Sequence, residues 1–142
     1  MTDLEATDPR VATVFRLLEA YRHGDLELMQ REMAVDVTLE AIGDNPLAGT
    51  YQGVGGVLAF IGKSMGTFVT GSVDVQDVET KADEVHVIVA GEMALVHAGT
   101  AKVRILQRYW FGDEGKIARI RAEAADDQEE FDRLLTEQAR LL

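Results

Sequence analysis

A carboxylate, Glu40, closes the short alternating segment Val35 to Glu40, and a turn-rich stretch follows it at once. An acid on a rigid strand beside such a loop is well placed for proton transfer. At an apolar cavity wall its pKa would rise, and it could move a proton next to a carbonyl. The alternation puts Val37 and Leu39 on one face and Thr38 and Glu40 on the other. It leaves two readings open: a general base facing a cavity, or a strand-end glutamate in solvent or bonded to loop amides. The second candidate is Gln107, which interrupts the apolar face Val103, Ile105, Tyr109, Phe111. A buried amide without a partner costs about 1–3 kcal/mol. Gln107 is therefore either a hydrogen-bond donor to a pocket ligand or a structural amide tied to a neighbouring backbone group.

The remaining chemistry-bearing residues read more plainly. Tyr109 shares the Gln107 face and lines either a cavity or a core. Trp110, on the opposite face with Leu106, Arg104 and Arg108, suits a subunit interface or a partly exposed sheet face. His23, His86 and His97 lack metal-ligand spacing, so no metal is expected. The acidic cluster Glu123, Asp126, Asp127, Glu129, Glu130 and Asp132 surrounds a helix start, where it complements the dipole. Gly53-x-Gly55-Gly56 opens a helix but lacks the lysine of a phosphate loop, and reads as packing.

Which elements must position these groups? Asp8-Pro9 starts a helix, with Val11, Val14, Phe15, Leu18 and Tyr21 at helical spacing and Gly24 as its stop. Asp25 caps a second helix carrying Leu26, Met29 and Met33. A strand runs from Val35 to Glu40, Asn45-Pro46 and Gly49 mark a loop, and Val54, Val57, Leu58, Ile61 and Met65 form a third helix. Four strands follow. In the first, around Val73 and Val75, the parity breaks at Val78, which predicts a bulge near Gln76-Asp77. The others are Val85 to Val89, Lys102 to Phe111 and Ile117 to Ala124. Ala98-Gly99-Thr100 is a turn and Gly112-Asp113-Glu114-Gly115 a hairpin turn. Asp126 or Asp127 caps a last helix with Phe131, Leu134 and Leu135 inward. Runs of antiparallel strands with segregated helices define an α+β fold.

The bulk properties narrow the function. The chain has 142 residues and is 46% hydrophobic, enough for one globular domain spanning 1–142. A formal net charge of -11 argues against nucleic acid. The absence of cysteine excludes disulfides and thiol catalysis. With no apolar run of membrane-spanning length and no signal-like N-terminus, a cytoplasmic protein is expected, without a membrane partner.

The order of elements, together with His23-Gly24-Asp25-Leu26, Pro46-Leu47-Ala48-Gly49-Thr50-Tyr51-Gln52-Gly53, Gly115-Lys116-Ile117, Asp126-Asp127-Gln128 and Phe131-Asp132, resembles the nuclear-transport-factor-2-like fold. Within it, the chain is similar to SnoaL-like proteins, kin to ketosteroid isomerases and polyketide cyclases. The resemblance implies a curved antiparallel sheet and helices packed into a cone around an apolar cavity. It also implies homodimerisation through the outer sheet face, an apolar small-molecule ligand and no cofactor. It places Glu40 where the isomerases carry their proton-shuttling aspartate, and Gln107 where they carry an acid that hydrogen-bonds the oxyanion. Leu17, Phe60, Val103 and Tyr109 would bind substrate. Leu17 stands where the isomerases have a tyrosine, and Ala122 near where the cyclases have an aspartate. A cofactor-independent isomerase or cyclase is therefore one expectation, and a non-catalytic binding or dimerisation module the other.

Overall fold

The computed structural model describes residues 8–69, 71–95 and 99–140. The first helix, α1 (Pro9–His23), begins where the Asp8 side chain accepts from the Arg10 N–H at 2.9 Å and Pro9 takes the first helical position. It ends at Gly24, whose φ of 66° is open to glycine at little steric cost. Asp25 then accepts from Leu28 N and starts α2 (Leu26–Glu32). Met33, expected on that helix, instead begins β1 (Met33–Ala41). A register irregularity between Met33 and Thr38 leaves Val35 on the surface while Val37 and Leu39 are buried.

After β1 the chain forms β2 (Gly49–Gln52), which pairs antiparallel with β1. Short and flanked by turn residues, Gly49-Thr50-Tyr51-Gln52 carries no strand signal of its own and is expected as loop. Then come α3 (Gly53–Met65), β3 (Asp74–Thr80), β4 (Glu84–Leu95), β5 (Gly99–Phe111), a 3-10 turn at Asp113–Gly115, β6 (Ile117–Ala124) and α4 (Gln128–Arg140). The register of β3 on β4 shifts between Val75 and Asp77, which is the expected bulge. It returns Val78 to the inward face beside Val75. The Glu130 N–H donates to Asp127 at 3.0 Å, identifying Asp127 as the cap of α4. His97 and Ala98 lie outside the described residues.

The six strands form one open curved sheet in the order β2-β1-β6-β5-β4-β3. It is mixed, not wholly antiparallel: β1 and β6 run parallel, with Glu40 opposite Arg121. The α+β class holds, but the direction of that one pair departs from expectation. Alternation reports which side chains share a face and carries no sign of strand direction. The main core joins Val11, Val14 and Ala20 of α1 and Val57 of α3 to Val37, Val85, Val87 and Ile117 of the sheet. A second, smaller cluster holds Met93 and Val103 under Leu134 and Leu135 of α4.

Candidate functional site

Between the helices and the inner sheet face lies an apolar cavity of about 120 Å³. Helical spacing explains its upper wall. Leu17 and Tyr21 stand one turn apart on α1, and Phe60 and Ser64 one turn apart on α3. Its floor follows the sheet register: Gln107 lies opposite Ala122 and Tyr109 opposite Ile120, all four facing inward. Gly91 of β4 is needed at one end. A Cβ there would sit 3.1 Å from Phe68 Cδ1, so the missing side chain lets Phe68 lie against the sheet and close that end.

The polar centre of the floor is a pair. The buried Tyr109 hydroxyl donates to Gln107 Oε1 at 2.6 Å. Desolvation pushes the Tyr109 pKa up, so the phenol keeps its proton and remains the donor. This fixes the Gln107 amide with its oxygen engaged. Among the described residues nothing accepts from its Nε2, which is left to donate into the cavity.

A second polar group comes from the helices. Tyr21 and Ser64 are 3.2 Å apart through their hydroxyls, and Ser64 Oγ donates to the Ile61 carbonyl at 2.9 Å. Burial raises the Tyr21 pKa, with the Ser64 hydrogen bond opposing it. Helical spacing alone places Tyr21 on an apolar helix face. Its position one turn beyond Leu17, with a hydroxyl at the buried end, was the available signal.

The mouth is closed by the segment between β1 and β2. Ile42, Asn45 and Leu47 from that segment and Phe131 from α4 all line the cavity. Asp132 holds the segment down. It accepts from the Asp44 N–H at 2.9 Å, from Asn45 Nδ2 at 2.6 Å and from Gln128 Nε2 at 2.8 Å. Burial pushes its carboxyl up, but these three donors together bring it below its usual value. Gln128 adds a bond to the Ile42 carbonyl and accepts from Ala124 N. Only glycine fits at position 43, where φ is 126° and an added Cβ would stand 2.3 Å from Asp132 Oδ1.

Leu17, Phe60, Gln107 and Tyr109 thus face one cavity. Two expected site residues do not. Glu40 is turned to the outer sheet face, where its carboxylate lies 3.6 Å from Arg121 Nε and its side chain is 42% exposed. The parallel register sets Arg121 directly beside it, and Leu39 and Ala41 take the inward positions. Val103 faces inward but lies four residues from Gln107, about 13 Å along the strand. There it packs against Met93 and the α4 leucines. Among the described lining residues the only carboxylate is Glu123; it alternates with the inward Ala122, so its side chain belongs to the outer face, 3.9 Å from Arg121 Nη2.

The fold and cavity define a cone-shaped α+β small-molecule-binding domain, and comparison with known proteins gives its family. Residues 14–120 match the model of the SnoaL-like domain, and the chain belongs to that family. No curated protein matches the chain. Among solved structures it is similar to TerC co-crystallised with polyporic acid, at 20% identity and a TM-score of 0.75, over 90% of this chain and 98% of that one. It is equally similar to an NTF2-like protein of unknown function from Burkholderia pseudomallei K96243, with 20% identity, a TM-score of 0.75 and coverages of 91% and 98%. RV0760c from Mycobacterium tuberculosis, in complex with estradiol-17β-hemisuccinate, matches at 22% identity and a TM-score of 0.64, over 84% and 96%. At these identities the likeness establishes the fold.

Proposed function

We propose that this protein binds an apolar carbonyl compound in the cavity, with the Gln107 amide N–H donating to the carbonyl oxygen. The observation that carries this reading is the Tyr109–Gln107 bond, which engages the amide oxygen and leaves the N–H group directed at an otherwise apolar space. A ligand lacking an acceptor would leave that donor unpaired on entering, whereas a carbonyl replaces the water it gives up. The ligand-bound state of TerC and RV0760c supports a ligand cavity in this fold.

Calorimetric titration with acetophenone tests the reading. Gln107→Leu is expected to weaken acetophenone binding about tenfold and to strengthen ethylbenzene binding, because the variant has no donor for ethylbenzene to leave unpaired. Equal acetophenone affinity in both proteins would overturn it.

A catalytic version keeps Gln107 as the oxyanion donor and needs a base at the cavity. Among the described residues no carboxylate faces the cavity from the inward side: Glu40 and Glu123 both alternate outward and share Arg121, which favours the binding reading. Deuterium incorporation at the methyl group of acetophenone in D2O, catalysed by wild type and lost in Glu40→Gln or Glu123→Gln, would establish the catalytic version. Exchange no faster than without the protein would refute it.

We also propose a homodimer through the outer sheet face. Trp110 packs there against the guanidinium groups of Arg108 at 4.8 Å and Arg119 at 4.4 Å, on the strand face that also carries Leu106. Aromatic and Arg side chains of this kind are enriched at interface cores.

A further inference from the structure

We infer that the cavity has a second, opposite pole, and that its ligand is a single-ring carbonyl compound that also bears a hydroxyl group. The inference rests on the carbonyl reading above and adds to it the size of the ligand and its second polar group.

Counting hydrogens gives the second pole. Ser64 has one hydroxyl hydrogen, and it goes to the Ile61 carbonyl at 2.9 Å. The 3.2 Å contact between Tyr21 Oη and Ser64 Oγ must therefore be donated by Tyr21. With its hydrogen directed at Ser64, Tyr21 offers the cavity an oxygen lone pair, an acceptor. Gln107 offers the reverse: its oxygen is taken by Tyr109 and its N–H group is open. Tyr21 comes from the helical wall and Gln107 from the sheet floor. A ligand that satisfies both carries an acceptor toward β5 and a donor toward α1. A hydroxyl-bearing carbonyl compound is the simplest such molecule.

Volume sets the scale. An apolar cavity of about 150 Å³ holds one benzene ring. The 120 Å³ present here is on the scale of a single ring, so short substituents reach toward the walls and mouth, and a fused tetracycle would need rearrangement.

The test is calorimetric titration of wild type, Tyr21→Phe and Ser64→Ala. The probes are acetophenone, the 3- and 4-hydroxyacetophenones, their methyl counterparts of equal size, 4-methoxyacetophenone, phenol and estrone. For whichever hydroxyl isomer spans the poles, the hydroxyl-over-methyl preference of wild type is expected to fall about tenfold in Tyr21→Phe. Ser64→Ala removes the acceptor of the Tyr21 hydrogen and frees it toward the cavity, so preference is expected to shift toward 4-methoxyacetophenone. A Tyr21→Phe protein that keeps the wild-type preference for both isomers overturns the second pole. Tighter binding of estrone than of every single-ring probe overturns the size assignment. Should phenol bind in a Tyr21-dependent way while acetophenone does not bind, the carbonyl reading fails and the Tyr21 pole stands. Failure of every probe to bind overturns both.

Discussion

Tyr109 has one hydroxyl and one partner for it, and that asymmetry predicts how two substitutions differ. Gln107→Leu leaves the buried Tyr109 hydroxyl without an acceptor, which costs about 1–3 kcal/mol. Tyr109→Phe removes the donor and leaves Gln107 Oε1 at a cavity that water can enter. Urea denaturation should show Gln107→Leu as the more destabilised of the two. On the outer face, Glu84 is buried between His86 and Arg108, both within hydrogen-bond reach. Burial pushes its carboxyl up, but the two partners prevail and hold its folded pKa below the usual value. A depressed carboxylate pKa contributes stability that is complete above the unfolded value and is lost as pH falls through the folded one. Thermal melts should therefore lose stability below about pH 4.3, the ordinary glutamate value. Glu84→Gln should shrink that acid loss; an unchanged acid limb would show that Glu84 does not drive it. Glu40 and Gln107 are both candidate cavity residues in sequence, but alternation ranks them differently. Gln107 shares its face with Ile105 and Tyr109, whereas Glu40 opposes its apolar neighbours, and the structure turns each with its own set.

At the scale of elements, the segment between β1 and β2 matters most. It covers the cavity mouth and is tied to α4 through Asp132 and Gln128. Gly43→Ala combines an unfavourable φ with a collision against Asp132 and should release the segment. The expected result is much faster hydrogen exchange of the Asp44 amide, with the β4–β5 amides unaffected. Asp132→Asn retains an acceptor oxygen but loses the charge, and so should loosen the same amide by a smaller amount. Most element boundaries were legible in the sequence because their causes are local. Asp8-Pro9, Gly24, Asp25 and Asp127 act within one helical turn, and the β3 bulge is visible in the parity of Val75 and Val78. β2 was not legible. Four residues bordered by turn formers become a strand only because β1 supplies the partner.

For the whole molecule, the outer sheet face provides the remaining prediction. Trp110, packed against two arginines, is its apolar centre. Sedimentation equilibrium should give a dimer for wild type and a monomer for Trp110→Glu; a monomeric wild type would discard the homodimer. Among the described residues no helix is long and apolar enough to cross a membrane.

By itself the sequence determined the α+β class, the succession of elements and the two faces of each strand, because caps, turns and side-chain periodicity act over a few residues. Tertiary structure alone decided which faces meet. It set β6 between β1 and β5, and so placed Arg121 beside Glu40 on the outside and Ala122 beside Gln107 within. It also brought Tyr21 of α1 to Ser64 of α3, a contact across 43 residues that neither helix encodes alone. The cavity's chemistry is set by these long-range pairings, which no local pattern records.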